Sequence, residues 1–218
     1  MTHRVHTSGG VAGDLPPDLA ALLPGPAHER LAATGRLCLS GAAPGSDAYW
    51  GDLAWQRGDG VVHWSFAGHS RAQCAGEVAE LTTSQLARAD SALRIAADAL
   101  ARPWPPRSPY AASLLRRDFF QADFADALYA IAKFDRAGRM LGGTAWTVQM
   151  FLDRFTGSHV PAFAFDQRGG RWLERRGASW QPVAEVPSPA GIWAGIGTRD
   201  LDATGMAAIQ ELLHSPGT

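Results

Sequence analysis

A three-layer α/β fold, with a mainly parallel sheet and a small hairpin added to it, is the class this sequence predicts. Three observations lead there. Short apolar runs of strand length alternate with longer segments of helical spacing, an order that implies a parallel sheet covered by helices on both faces. The turns that join strand to following helix repeatedly carry glycine. With 218 residues, the chain is long enough to bury one large core, and a single domain fits better than two small ones.

Each element has its own warrant. Residues 1–26 are rich in Gly and Pro, and Pro16, Pro17, Pro24 and Pro26 break any long helix, so this part reads as a loose arm with one short helix. Residues 27–34 are helical in pattern. A strand follows at 36–40 between Gly35 and Gly41, then an amphipathic helix at 46–57, which makes a strand, glycine turn and helix unit. Residues 61–66 form a second strand. The Ala- and Leu-rich stretch 78–101 reads as mostly helix and is ended by the prolines of 103–109. A helix at 113–124, a buried strand at 127–132 and a helix at 144–155 after Gly142-Gly143 repeat the alternation. Beyond them come a strand at 160–165, a hairpin over 171–183 with Gly177 between aromatic-bearing arms, a strand at 192–195 and a last helix at 203–213. The division is thus an N-terminal arm and short helix over 1–35 and one domain over 36–218, without internal repeats.

Composition removes several function classes. Lys and Arg number 20 against 21 Asp and Glu, a formal charge of −1, so no broad cationic face is available to hold a phosphodiester backbone, and nucleic acid is disfavoured as a partner. Two cysteines, Cys38 and Cys74, make no disulfide framework. Residues 1–13 lack an apolar signal core, and no apolar stretch approaches the roughly 20 residues of a membrane span. These features predict a soluble protein of the cytoplasm, away from membranes, and they are compatible with a homodimer. His63 and His69 have no Cys or acid at ligand spacing, so neither a metal nor a cofactor is expected.

What remains is a set of loops. "SGAAPGSD" (40–47), "LGGTAW" (141–146) and "GIGTRD" (195–200) each lie between a strand and a helix. In a parallel sheet such loops gather beyond the carboxyl ends of the strands, where helix N-termini offer free N–H groups and a favourable dipole to anions. Glycine lets phosphate oxygens approach the backbone closely. A phosphate-bearing small molecule is the expected ligand, held by Ser40, Gly41, Gly45, Gly142, Gly143, Thr144, Gly197 and Thr198, with Arg199 able to fork a phosphate. Asp47, in the first turn of a helix, and Asp166, directly after a strand, are candidate catalytic carboxylates, while Trp50 and Trp146 serve either a base or the core.

These loops, with "RDFFQADFADALYAI", resemble the motif set of the Rossmann-like superfamily that contains the DNA-processing protein DprA and the Lonely Guy phosphoribohydrolases, over about residues 36–213. The family's Ser-Gly-Gly-x-x-Gly-x-Asp turn falls on Ser40, Gly41, Ala42, Gly45 and Asp47, so Ala42 replaces a glycine. Its Arg-Asn pair is Arg117-Asp118 here, and the resemblance gives Arg117 a phosphate or ligand contact. Its Gly-Gly-x-Gly-Thr-x-x-Glu becomes Gly142, Gly143, Ala145, Trp146 and Gln149, with an amide where Lonely Guy enzymes place a carboxylate of the N-glycosidic cleavage site. An amide can hydrogen-bond a ribose or a water but cannot take a proton. The Gly-Ile-Gly-Thr-Arg strand, which opens such proteins, comes late at 195–199, an order that a circular permutation explains; residues 192–195 should then lie beside 37–40. The implied function is binding or sensing of a phosphorylated nucleoside. The alternative is a nucleotide N-glycosidase using Asp47, Asp166 or Asp118 in place of the missing acid, with Gln149 at the site.

Overall fold

In strand β1 (Arg36–Ser40), Leu37 and Leu39 join one apolar cluster and Cys38 another, because successive side chains of a strand point to opposite faces; all three are fully buried. Strand β2 (Gly60–Phe66) repeats the pattern, with Val62 and Trp64 on one face and Val61 on the other. A sheet apolar on both faces must be covered twice. The computed structural model, which describes residues 15–155 and 159–214, shows how this is done.

Helix α3 (Ser46–Gln56) and helix α8 (Ala203–His214) supply Trp50, Leu53, Ile209 and Leu212 to the Cys38 face. Helices α5 (Asp90–Leu100), α6 (Pro109–Asp123) and α7 (Thr144–Leu152) cover the other with Leu93, Phe120 and Phe151. Two short helices, α1 (Pro17–Ala20) and α2 (Gly25–Thr34), precede the sheet, and Leu19 and Ala27 anchor them to the same cluster as Leu37. No helix among the described residues is long and apolar enough to cross a membrane.

The remaining strands are β3 (Glu77–Leu81), β4 (Ala127–Ala132), β5 (His159–Asp166), β6 (Arg171–Arg176), β7 (Ser179–Pro182) and β8 (Gly191–Gly197). They form one eight-stranded sheet in the order β3-β2-β1-β8-β4-β5-β6-β7. Every pairing from β3 across to β5 is parallel, and β6 and β7 add an antiparallel hairpin at the edge, turned through Gly177 at φ +57°. The last strand in sequence lies in the middle. Leu37, Cys38 and Leu39 pair with Ile192, Trp193 and Ala194, and the other edge of β8 pairs with β4.

The expected long helix over 78–101 is corrected. Glu77–Leu81 is an edge strand, and α4 (Thr83–Ala87) and α5 follow it. Thr82 decides the boundary: its side chain caps the backbone of Gln85 while the Gln85 side chain returns to the Thr82 N–H at 2.7 Å, a capping box that starts a helix and forbids one from running through. Helix α6 also begins earlier than the expected residue 113, because Ser108 caps it and Pro109 occupies its first turn.

Candidate ligand-binding cleft

Strands β1, β8 and β4 end at one edge of the sheet, and the chain leaves them in diverging directions. From β1 it passes through α3 to β2; from β4 it passes through α7 to β5; β8, between them, sends it into α8. A parallel sheet opens a crevice where connections part in this way. Here the crevice is a cleft of roughly 690 Å³, a size suited to a small molecule, lined among others by Asp47, Arg117, Asp118, Gly143, Thr198 and Arg199.

Glycines bring the loops together. Gly45, at φ +96°, lies so close to the next loop that an added Cβ would sit 2.7 Å from the backbone carbon of Arg199. Beside it, the Ser46 N–H (3.1 Å) and Oγ (2.8 Å) both donate to the Thr198 carbonyl. Gly197 has Ile131 O and Ser46 Cβ where its own Cβ would go, at 2.6 and 2.7 Å. Gly41 lies against the Arg117 guanidinium, which fills the space a side chain would need. Ser40 donates to the Asp47 carbonyl at 2.7 Å and holds the far end of the same loop.

Behind the loops is a buried charge cluster. Arg117, only 2% exposed, reaches Asp47 Oδ2 with Nη1 at 3.3 Å. Its Nε lies 3.3 Å from Asp118 Oδ1, an ion-pair distance, but is angled so that its hydrogen finds no acceptor. Asp47 spends its other oxygen on the Gly197 N–H at 3.0 Å. Gln121, one turn along α6 from Arg117, satisfies both ends of its amide by donating to Asp118 Oδ1 at 3.2 Å and accepting from Gly41 N–H at 2.9 Å. Burial raises the Asp47 carboxyl above its ordinary value against the pull of Arg117. Burial raises Asp118 as well, to about 6; Arg117 opposes the shift, the Asp47 charge adds to it and the Thr147 hydroxyl opposes it.

A stability profile should report this. A carboxyl raised in the folded state binds its proton more tightly there than in the unfolded chain. Asp118 therefore destabilises the fold in full above pH 6, and that cost fades as pH falls toward 4. Asp118→Asn is expected to be more stable than wild type at pH 8 by on the order of 2 kcal/mol, with the difference vanishing near pH 4. Urea titrations at four pH values measure it, and a difference that stays flat from pH 8 to 4 contradicts it.

On the opposite wall, α7 starts at Gly143 without any side-chain cap, and open space surrounds both Gly142 (φ +74°) and Gly143. Thr144 and Thr147 line the cleft beside them. Arg102 holds the approach to this helix by donating to the Gly142 carbonyl at 2.8 Å. Arg199 is exposed at the rim and makes no side-chain hydrogen bond or ion pair among the described residues. Lys133, the residue after β4, pairs with Asp200 at 2.8 Å across the mouth.

The cleft gathers Asp47, Arg117, Gly142, Gly143, Thr144, Gly197, Thr198 and Arg199 of the expected residues, with Ser40, Gly41 and Gly45 in the scaffold of its loops. Two expected residues lie outside it. Gln149 donates to Asp153 at 2.7 Å, one turn further along α7, and does not line the cleft. Asp166 caps the tight turn between β5 and β6, accepting from the Arg168 N–H at 3.1 Å. Trp50 is a core residue, fully buried, with its indole N–H on the Ile196 carbonyl at 3.1 Å; Trp146, buried and packed against the Trp104 ring, also lines the cleft. Residues the loop motifs did not point to are Gln121, Lys133 and Thr147. Lys133 had the same signal as Asp166, a polar residue at the carboxyl end of a strand.

No protein-family model matches the chain, and no curated protein matches it. Among solved structures, a crystal structure at 1.45 Å from Syntrophus aciditrophicus, described as a "putative molybdenum carrier protein", shares 13% identity with a TM-score of 0.49, over 82% of this chain and 94% of that one.

Proposed function

We propose that this cleft binds a phosphorylated nucleoside, on a three-layer Rossmann-like fold of the type found in the DprA and Lonely Guy superfamily. The observation that carries the reading is the meeting of three glycine loops at the point where the sheet's connections diverge, with the uncapped start of α7 on one side and Arg117 and Arg199 on the other. Counting β8 as the first strand makes the order from β3 to β5 read 4-3-2-1-5-6, a doubly wound order reversing beside strand 1. Moving that strand to the end of the chain leaves the sheet unchanged, which supports the permuted resemblance. The phosphate is assigned to the α7 N-terminus and Arg199, because these donors are unspent among the described residues, whereas Arg117 already serves Asp47.

Calorimetry with adenosine and adenosine 5′-phosphate tests this. The phosphate should bind more tightly, and Arg199→Ala should weaken the phosphate by about 10- to 100-fold while leaving the nucleoside unchanged, since a charge-assisted hydrogen bond contributes about 1.5–3 kcal/mol. Equal affinities for the two ligands refute it. A second reading, N-glycosidic cleavage, is favoured by one feature: Asp118 sits in the cleft with its carboxyl raised to about 6, suited to proton exchange near neutral pH. Chromatography of the same mixtures for free adenine separates binding from turnover.

A further inference from the structure

Of the 20 lysine and arginine side chains in the sequence, one alone is a lysine, and that residue, Lys133, lines the cleft. It follows the carboxyl end of β4, where three loops are fastened in succession. The Ile131 carbonyl accepts from the Thr198 N–H at 2.9 Å, the Ala132 carbonyl from the Gln167 N–H at 3.3 Å, and the Lys133 carbonyl from the Leu141 N–H at 2.9 Å. Lys133 is thus tied by its backbone to the loop that opens α7 at Gly142-Gly143. Its side chain crosses to the loop after β8, where Nζ donates to Asp200 Oδ2 at 2.8 Å. Asp200 is placed there by its backbone, which donates to Thr198 Oγ1 at 3.2 Å and accepts from Gln167 Nε2 at 3.1 Å.

Four cations line the cleft: Arg102, Arg117, Lys133 and Arg199. Arg199 is unspent among the described residues, Arg102 serves the Met140 and Gly142 carbonyls, and Arg117 serves Asp47. Taking Arg117 away would strand a buried charge. Lys133 is different. Its partner's side chain is 78% exposed, and an exposed pair of this kind is worth at most about a fivefold change in an equilibrium constant. A phosphate dianion, with twice the charge of a carboxylate and three acceptor oxygens, therefore displaces Asp200 at little cost. We propose that Lys133 is a further anion-binding residue of the cleft, held by Asp200 in the free protein and given up to the phosphate when a ligand enters, so that Asp200 acts as a built-in competitor. Lysine suits this exchange, because it is a point charge on a flexible four-carbon stem and can turn from the Asp200 loop toward Gly142-Gly143 without moving the backbone. An incoming monocarboxylate would only replace one carboxylate with another, so the exchange favours dianions. The inference rests on the phosphate reading above and adds to it a residue and a brake.

A sole lysine is its own reporter. Amine acylation of the full chain modifies Lys133 and the α-amino group, and mass spectrometry of the two peptides gives both rates, the second as an internal reference. Saturating adenosine 5′-phosphate should slow acylation of Lys133 at least about fivefold relative to the α-amine, while adenosine, which fills the cleft without a phosphate, leaves it unchanged. Calorimetry supplies the other half. Asp200→Asn, which keeps the backbone hydrogen bonds and removes the competing charge, should bind adenosine 5′-phosphate about 3- to 10-fold more tightly than wild type, and Lys133→Met at least about threefold more weakly, with adenosine affinity unchanged in both. Acylation of Lys133 slowed equally by the two ligands, or by neither, overturns the inference and leaves phosphate binding standing. So does an affinity for adenosine 5′-phosphate that Asp200→Asn does not raise, or that Lys133→Met does not lower. Tighter binding in Asp200→Asn with Lys133 unprotected would mean that Asp200 repels the ligand from a distance and never competes for the lysine, which also overturns it. Adenosine 5′-phosphate binding no better than adenosine to wild type and to Asp200→Asn alike overturns the phosphate reading and this inference with it.

Discussion

Arg117→Met is expected to lower unfolding free energy by about 3–5 kcal/mol, the range for removing one partner of a buried ion pair. Arg117 is 2% exposed and is the one cation recorded within ion-pair distance of both Asp47 and Asp118 among the described residues. Methionine matches the length of the stem but stops short of the guanidinium position beside Gly41, so a small cavity adds to the lost charge, and the double Asp→Asn variant described below separates the two. Without it, two carboxylates whose protons are already held more tightly than usual face each other in a buried site and must take up protons to stay there. The loss should therefore be greatest at pH 8 and smaller at pH 5. Adding Asp47→Asn and Asp118→Asn to Arg117→Met should recover much of it, because the unpaired charges are then gone. Guanidinium titrations followed by circular dichroism measure each variant; a loss under about 1 kcal/mol for the single variant would show that water screens the cluster.

Most of the sheet was legible because local and tertiary signals agreed. Strands at 36–40 and 127–132 occupy the expected residues, and the neighbouring placement of 192–195 and 37–40 followed from treating "GIGTRD" as a displaced first strand. The failure at 78–101 has a definite cause. Ala and Leu dominate that stretch and favour helix, but Glu77–Leu81 alternates exposed and covered positions as an edge strand, and only the Thr82–Gln85 capping box marks the division. Ala42 shows a subtler case. It stands where the resemblance has a glycine, and it adopts a left-handed conformation at φ +51°, so the backbone keeps a shape that glycine suits better.

The candidate site was legible in its backbone and less so in its side chains. Glycine loops announce themselves in sequence, whereas the cluster of Arg117, Asp118 and Gln121 depends on which face of α6 meets the end of β1. Spacing puts Arg117 and Gln121 on one face of a helix; only packing says that Gly41 lies opposite. Gln149 failed by periodicity, since five residues beyond Thr144 an α-helix has turned about 140° past a whole turn. Asp166 failed because β5 runs into an antiparallel hairpin instead of a helix, and a carboxyl end closed by a tight turn offers no crevice.

Gly45→Ala should abolish ligand binding while leaving the rest of the sheet folded. The position combines two demands. Its backbone, at φ +96° and ψ −130°, lies in a region L residues avoid, which costs roughly 1–3 kcal/mol by itself. A Cβ there also meets the backbone of Arg199, not the movable end of a side chain, so the 41–47 and 197–199 loops must separate. Separation takes the Ser46 N–H and Oγ from the Thr198 carbonyl and draws Asp47 Oδ1 off the Gly197 N–H, leaving buried polar groups unpaired. The total expected loss is about 3–5 kcal/mol of stability. The effect on binding comes from geometry: Arg199 moves away from the α7 N-terminus, and a phosphate can no longer bridge them. Gly177→Ala, at another positive-φ glycine in the remote hairpin with nothing within 4 Å of an added Cβ, controls for strain without loop separation. It should lose only about 1 kcal/mol and bind adenosine 5′-phosphate as wild type does. Thermal melts with and without that nucleotide decide the matter: a ligand-induced shift that survives in Gly45→Ala would mean that the two loops need not touch for the cleft to work.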